Sequence, residues 1–134
     1  MRSLFSAYWK FTKNIEKGMR DYGLNYGNPK IILYLLRNEG CQQSDIAREC
    51  YVKSATLSTV LSNMEENGLI ERKHHEGNKR SYAIFLTSKG RKVFKAVKDQ
   101  YDVTSDIAFS DFSEEEIEQL RSYLDMITDN LEDA

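Results

Sequence analysis

The chain has 134 residues, the length of one domain, which leaves no room for a catalytic domain beside a regulatory one. With 40% hydrophobic and 30% charged residues it can bury a core, and one proline and seven glycines are too few for an all-β protein, so a mostly helical fold is expected. The net charge of −2 conceals a polarised chain: residues 1–52 carry +3, residues 53–92 carry +4 and residues 93–134 carry −9. A basic middle implies an anion as partner, and an acidic end faces solvent or a second subunit.

No run of about 18 uncharged apolar residues occurs, and Lys10 and Lys13 interrupt any leader-like stretch near Met1. Two cysteines, Cys41 and Cys50, are too few for a metal finger or a disulfide framework. The expectation is a cytoplasmic protein that neither crosses a membrane nor is secreted.

In chain order, Leu4, Tyr8, Phe11, Ile15, Met19 and Tyr22 recur every three or four residues, one stripe of a first helix. Asn28-Pro29 reads as an N-cap followed by proline at the first helical position. The second helix it opens is apolar all round from Ile31 to Leu36 and ends near Gly40, which makes it central. Two short helical patterns follow at about 43–50 and 54–67, with Ile46, Ala47, Cys50, Leu57, Val60, Leu61 and Met64 inward. A turn of a few residues around Tyr51-Val52-Lys53 forces a steep crossing, the helix-turn-helix arrangement. Gly68 supplies a left-handed stop.

Residues 69–75 and 80–86 read as two strands, the second alternating Tyr82, Ile84 and Leu86, with Glu76-Gly77-Asn78-Lys79 as the hairpin turn. A hairpin directly after a helix-turn-helix is a wing. A long helix then runs from Thr87-Ser88 to about Phe109 on a stripe of Val93, Val97, Tyr101, Thr104 and Ala108. Ser113 and Glu116 fit a capping box for a last helix, in which Ile117, Leu120, Leu124, Ile127 and Leu131 form a 3.5-residue seam of the kind used between helices. The fold class is mainly α with a small β-hairpin.

This order of elements resembles the MarR family of winged helix-turn-helix transcription regulators over about residues 5–131. The stretches that carry the resemblance are Gln43-Ser44-Asp45-Ile46-Ala47, Ser54-Ala55-Thr56-Leu57-Ser58, Met64 through Arg72, Asn78-Lys79-Arg80 and Leu86-Thr87-Ser88-Lys89-Gly90. The resemblance implies a single domain over 1–134, with a DNA-binding part at about 28–87 flanked by dimerisation helices at about 3–22 and 88–133. It implies a homodimer that straddles a pseudo-palindromic double-stranded operator, most simply as a repressor released by a ligand or a redox event. Gln43, Ser44, Lys53, Ser54, Ala55, Thr56, Ser58, Thr59 and Ser62 are implied at bases or phosphates, and Arg72, Lys73, His75, Lys79 and Arg80 in or beside the wing. Leu4, Tyr8, Phe11, Ile117, Leu120, Leu124, Ile127 and Leu131 are implied at the dimer interface.

The chain departs from the family pattern at Thr59, Ser62-Asn63 and Asn78, where the family often has arginine, an aspartate-arginine pair and aspartate. The recognition helix therefore carries no cation, and bidentate arginine readout of guanine is closed to it. Hydroxyls, a methyl contact with thymine and DNA shape remain, which points to A·T-rich sites. A winged-helix module that meets a protein instead of DNA is the alternative.

Other candidates each have a plain counter-reading. Lys89, Arg91 and Lys92 oppose the dipole of the helix they open, so attraction of DNA and simple solvation compete to explain them. His74 and His75 are adjacent on a strand and point to opposite faces, which disfavours a shared metal. Cys41 is the better candidate for a redox thiol, since Cys50 lies on an inward stripe. Tyr8, Trp9, Tyr22, Tyr26 and Tyr34 gather where family members bind small aromatic or phenolic effectors, although core and dimer packing also accounts for them. No nucleophile-base-orienter set or glycine-rich phosphate loop is present, so neither an enzyme nor a cofactor is expected.

Overall fold

A computed structural model describes residues 1–20, 22, 24, 29–75 and 78–132, with the backbone alone for residues 75, 78–81 and 132. The elements are α1 (Arg2–Arg20), α2 (Pro29–Arg37), β1 (Cys41–Gln42), α3 (Gln43–Glu49), α4 (Ser54–Glu66), β2 (Ile70–His75), β3 (Asn78–Leu86), α5 (Ser88–Ala108) and α6 (Glu114–Glu132). The Asn28 cap expected for α2 and residues 76 and 77 of the expected turn lie outside the described residues. Asn78 and Lys79, expected in that turn, already belong to β3.

Every expected helix forms, and α1 to α5 each bury an apolar face against the shared core. Ile15 and Met19 of α1, Ile31, Ile32 and Leu35 of α2, and Phe94 and Val97 of α5 close one side of the core. Ile46, Leu57, Leu61, Met64, Leu69, Ile70 and Ile84 close the other, with each of these fourteen residues at most 2% exposed. Phe94 fills the centre although the stripe read from the sequence passes beside it.

The sheet has one strand more than expected. Cys41–Gln42 pairs antiparallel with β3, Cys41 opposite Ile84, so the order is β1-β3-β2. Two residues give no alternation to read, and their pairing is set by Gly40, whose N–H donates to Ile84 O at 2.7 Å. The β2–β3 ladder runs from Ile70 opposite Leu86 to His74 opposite Tyr82, and the register shifts between His74 and His75.

The wing root is locked to α4 and α5 by a few polar groups. Thr87 caps α5 by accepting from Gly90 N at 2.9 Å, while its hydroxyl donates to Gly68 O at 2.6 Å. Its own N–H donates to Leu69 O at 3.1 Å. At the far end the Ser113–Glu116 capping box forms in both directions, at 2.8 and 3.2 Å. The helix it starts, α6, has no extensive packing partner among the described residues of its own chain.

Candidate nucleic-acid interface

α3 and α4 cross over a short turn, and α4 buries Leu57, Val60, Leu61 and Met64. The opposite face of α4 is left in solvent: Ser54, Ala55, Thr56, Ser58 and Thr59 are exposed and Ser62 is half-buried. Thr59 Oγ1 donates back to Ala55 O at 3.2 Å, which uses its hydroxyl proton and leaves the oxygen able to accept. Ser54, Thr56 and Ser58 make no side-chain hydrogen bond among the described residues. Lys53, at the N-cap, and Ser44 of α3 are exposed beside this face, and Gln43 is half-buried. The helix N-terminus thus combines orphan backbone N–H groups, hydroxyls and one flanking cation, a surface suited to phosphate and base edges.

The wing contributes differently from what its charge count implies. Arg72 Nη1 forms an ion pair with Glu65 Oε2 at 2.8 Å, and its side chain is only 21% exposed. It ties β2 to the last turn of α4. Lys73 Nζ meets Glu71 Oε1 at 2.7 Å and lies 5.0 Å from the centre of the Phe85 ring. The His74 ring stacks on Tyr82 with centroids 4.2 Å apart. The side chains of His75, Lys79 and Arg80 lie outside the described residues.

Two of the cations that open α5 have specific structural roles, a correction to the choice between DNA attraction and solvation. Lys89 Nζ donates to Asn67 O at 2.8 Å and so caps the free carbonyl end of α4. Arg91 grips Glu39 through both terminal nitrogens, at 2.6 and 2.7 Å, and Glu39 also accepts from Leu86 N at 3.0 Å. The sequence held no local signal for this pair, whose partners are 52 residues apart.

Cys41 is half-buried in β1, and burial with the nearby Asp45 carboxylate pushes its thiol up to about 11. A thiol so held is protonated at neutral pH and a slow nucleophile, which counts against a sensor role. Burial also raises Cys50. Of the aromatic group, Tyr34 packs against the core, whereas Tyr8, Trp9 and Tyr22 are exposed. Tyr26 lies outside the described residues.

Away from the winged helix, apolar side chains are left uncovered. Leu4, Phe5, Tyr8 and Trp9 of α1 and Leu124, Met126, Ile127 and Leu131 of α6 are all exposed. Ile117 and Leu120 are half-buried, and Phe11 is half-buried with its ring edge-on to Tyr101 at 5.4 Å.

A family model described as MarR family matches residues 28–82, from the start of α2 into β3. The organic hydroperoxide resistance transcriptional regulator of Bacillus subtilis is 30% identical over 128 residues, 96% of this chain and 86% of that one. The chain belongs to the MarR family. The transcriptional regulator BilQ of Clostridioides difficile is 25% identical over 114 residues, 85% of this chain and 77% of the relative. Among solved structures, the S. aureus MepR–DNA complex superposes with a TM-score of 0.87 at 25% identity, covering 97% of each chain. A MarR-family regulator from Listeria monocytogenes bound to 26mer DNA has the same fold, with a TM-score of 0.86 over 98% of this chain and 88% of that one, at 24% identity. This MarR-family chain is a DNA-binding transcriptional regulator, and its relatives are regulators rather than enzymes. Among the described residues no helix is long and apolar enough to cross a membrane.

Proposed function

We propose that the protein is a homodimeric repressor that places α4 of each copy in successive major grooves of a pseudo-palindromic operator. The observation that carries this reading is the apolar seam of α6, whose Leu124, Ile127 and Leu131 are spaced for an interhelical contact yet stand 38%, 45% and 70% exposed. A second copy supplies the missing surface, with Leu4, Tyr8 and Phe11 of α1 joining the seam. Residues 28–87 then form the DNA-binding part, and 3–22 with 88–133 the dimer.

In this reading Ser54, Ala55, Thr56, Ser58, Thr59 and Ser62 meet base edges, with Gln43, Ser44 and Lys53 on the flanking phosphates. Arg80, with Lys79 and His75, enters the minor groove from the wing. Arg72 and Lys73 support the wing and add to its field. Without a cation on α4, direct readout falls to hydroxyls and to methyl contacts with thymine, and A·T-rich operators are favoured. Half-sites on one face of DNA lie about 34–36 Å apart, so an effector that populates dimers of another spacing releases the operator. A small aromatic or phenolic ligand beside Tyr8, Trp9, Tyr22, Tyr26 and Tyr34 is the release signal we favour, since the raised Cys41 thiol argues against oxidation.

The test is fluorescence anisotropy of the purified protein on the DNA upstream of its own gene, across a salt series, with Arg80→Ala alongside. The expected result is sequence-selective binding that falls steeply with salt and is weakened by the substitution. Equal affinity for random DNA with no effect of Arg80→Ala would direct the search to a protein partner instead.

A further inference from the structure

α3 and α4 end in the same way, and one of the two endings is built from the wrong residue for its conformation. After α4, Gly68 N donates to Glu65 O at 2.9 Å and Leu69 N to Met64 O at 2.9 Å, with Gly68 at φ 70°. After α3, Tyr51 N donates to Arg48 O at 3.3 Å and Val52 N to Ala47 O at 3.0 Å, with Tyr51 at φ 52°. Both are Schellman motifs, whose left-handed position is usually glycine because a side chain there crowds the following carbonyl. Tyr51 is the one non-glycine residue at positive φ among the described residues.

The backbone bonds of the motif hold the turn, but among the described residues the Tyr51 side chain itself adds nothing to it. The Tyr51 side chain is 74% exposed and makes no hydrogen bond or ring contact among the described residues. Val52, next to it, packs against the core and completes the motif, so the turn does not need an aromatic group to close. A large side chain held in a costly conformation, directed into solvent and without an internal partner, marks a site whose partner is outside the chain.

Its position identifies that partner. Tyr51 stands three residues before Ser54, the first residue of α4, in the turn between the helix that crosses the DNA backbone and the helix that enters the groove. Lys53, also exposed, stands between them. We infer that Tyr51 is a DNA-backbone contact, its hydroxyl donating to a phosphate oxygen at the edge of the groove that α4 enters. Tyrosine is among the side chains that donate to phosphates, and such contacts fix docking without reading sequence. On a recognition helix without cations, a neutral donor carried at its mouth by a fixed backbone turn helps set the register that arginines would otherwise set. The inference rests on the placement of α4 in the major groove proposed above.

Tyr51→Gly and Tyr51→Phe test it on the full chain, against the upstream duplex and a random duplex of equal length, with thermal melting in parallel. Tyr51→Gly is expected to raise the melting temperature by relieving the left-handed strain, yet to weaken binding about tenfold. Tyr51→Phe keeps the strain and the wild-type melting temperature, and loses most of the same affinity. Because a neutral contact releases no counterion, both duplexes weaken alike and the salt slope is unchanged. Unchanged affinity of Tyr51→Gly while the wild type binds the upstream duplex selectively would overturn the contact. Wild-type binding without selectivity would instead overturn the operator reading. Wild-type affinity in Tyr51→Phe would overturn the hydroxyl-phosphate bond.

Discussion

A Cβ on Gly90 would lie 1.8 Å from Leu69 O, a backbone atom already receiving the Thr87 N–H. A Cβ on Gly18 would meet Gln100 Cγ at 2.9 Å, but that is a flexible side chain at the α1–α5 crossing. The two glycines therefore separate cleanly. Gly90→Ala should cost about 2–3 kcal/mol in urea unfolding, because either the α5 cap or the wing root must move. In Gly18→Ala a Gln100 rotamer moves Cγ away, the contact with Gln100 Cβ at 3.3 Å is met by a few tenths of an ångström of give between the helices, and better helix propensity offsets the cost, so the change stays within about 1 kcal/mol of neutral.

At the scale of elements, α6 is the exposed part of the design. Its first turn is acidic at Glu114, Glu115 and Glu116, which favours the helix, while its apolar seam finds no cover among the described residues of its own chain. Replacing Leu124 and Ile127 together with glutamate should give a folded monomer by sedimentation and circular dichroism, with operator affinity reduced at least tenfold as one half-site is lost. The seam and the capping box were legible in the sequence because both are local patterns of three to four residues. So were α1 to α6 and the hairpin. The strand β1 was not, since a two-residue pairing depends on where β3 passes. Nor were the Arg72–Glu65 and Arg91–Glu39 pairs, in which charges counted as free toward DNA are held by partners that only the fold brings near. Tyr51 was visible as a turn residue, but its positive φ was not.

Across the whole molecule, Glu39 joins three parts: the end of α2, Leu86 at the wing root and Arg91 at the start of α5. Its hydrogen bond with Arg91 holds its carboxyl below the usual glutamate range, against the opposing effect of burial. The folded state then binds fewer protons than the unfolded chain, so this contribution is complete above about pH 4.3 and drains away as pH falls through the lowered value. Glu39→Gln should cost about 0.5–1 kcal/mol at pH 7. The difference between the variant and the wild type should narrow as melts are taken to acid pH, closing only once the pH has fallen below that lowered value.

The uncovered seam of α6 also bears on dosage. The buried core is built by α1 to α5 and the sheet, and α6 adds no buried residue to it. Assembly of the proposed dimer is then a separate, concentration-dependent step. Below its dissociation constant the dimer rises with the square of chain number, so a modest change in synthesis would move promoter occupancy sharply. A scarce regulator of this build would respond to its own abundance more steeply than in proportion, over a concentration range set by the looseness of one helix.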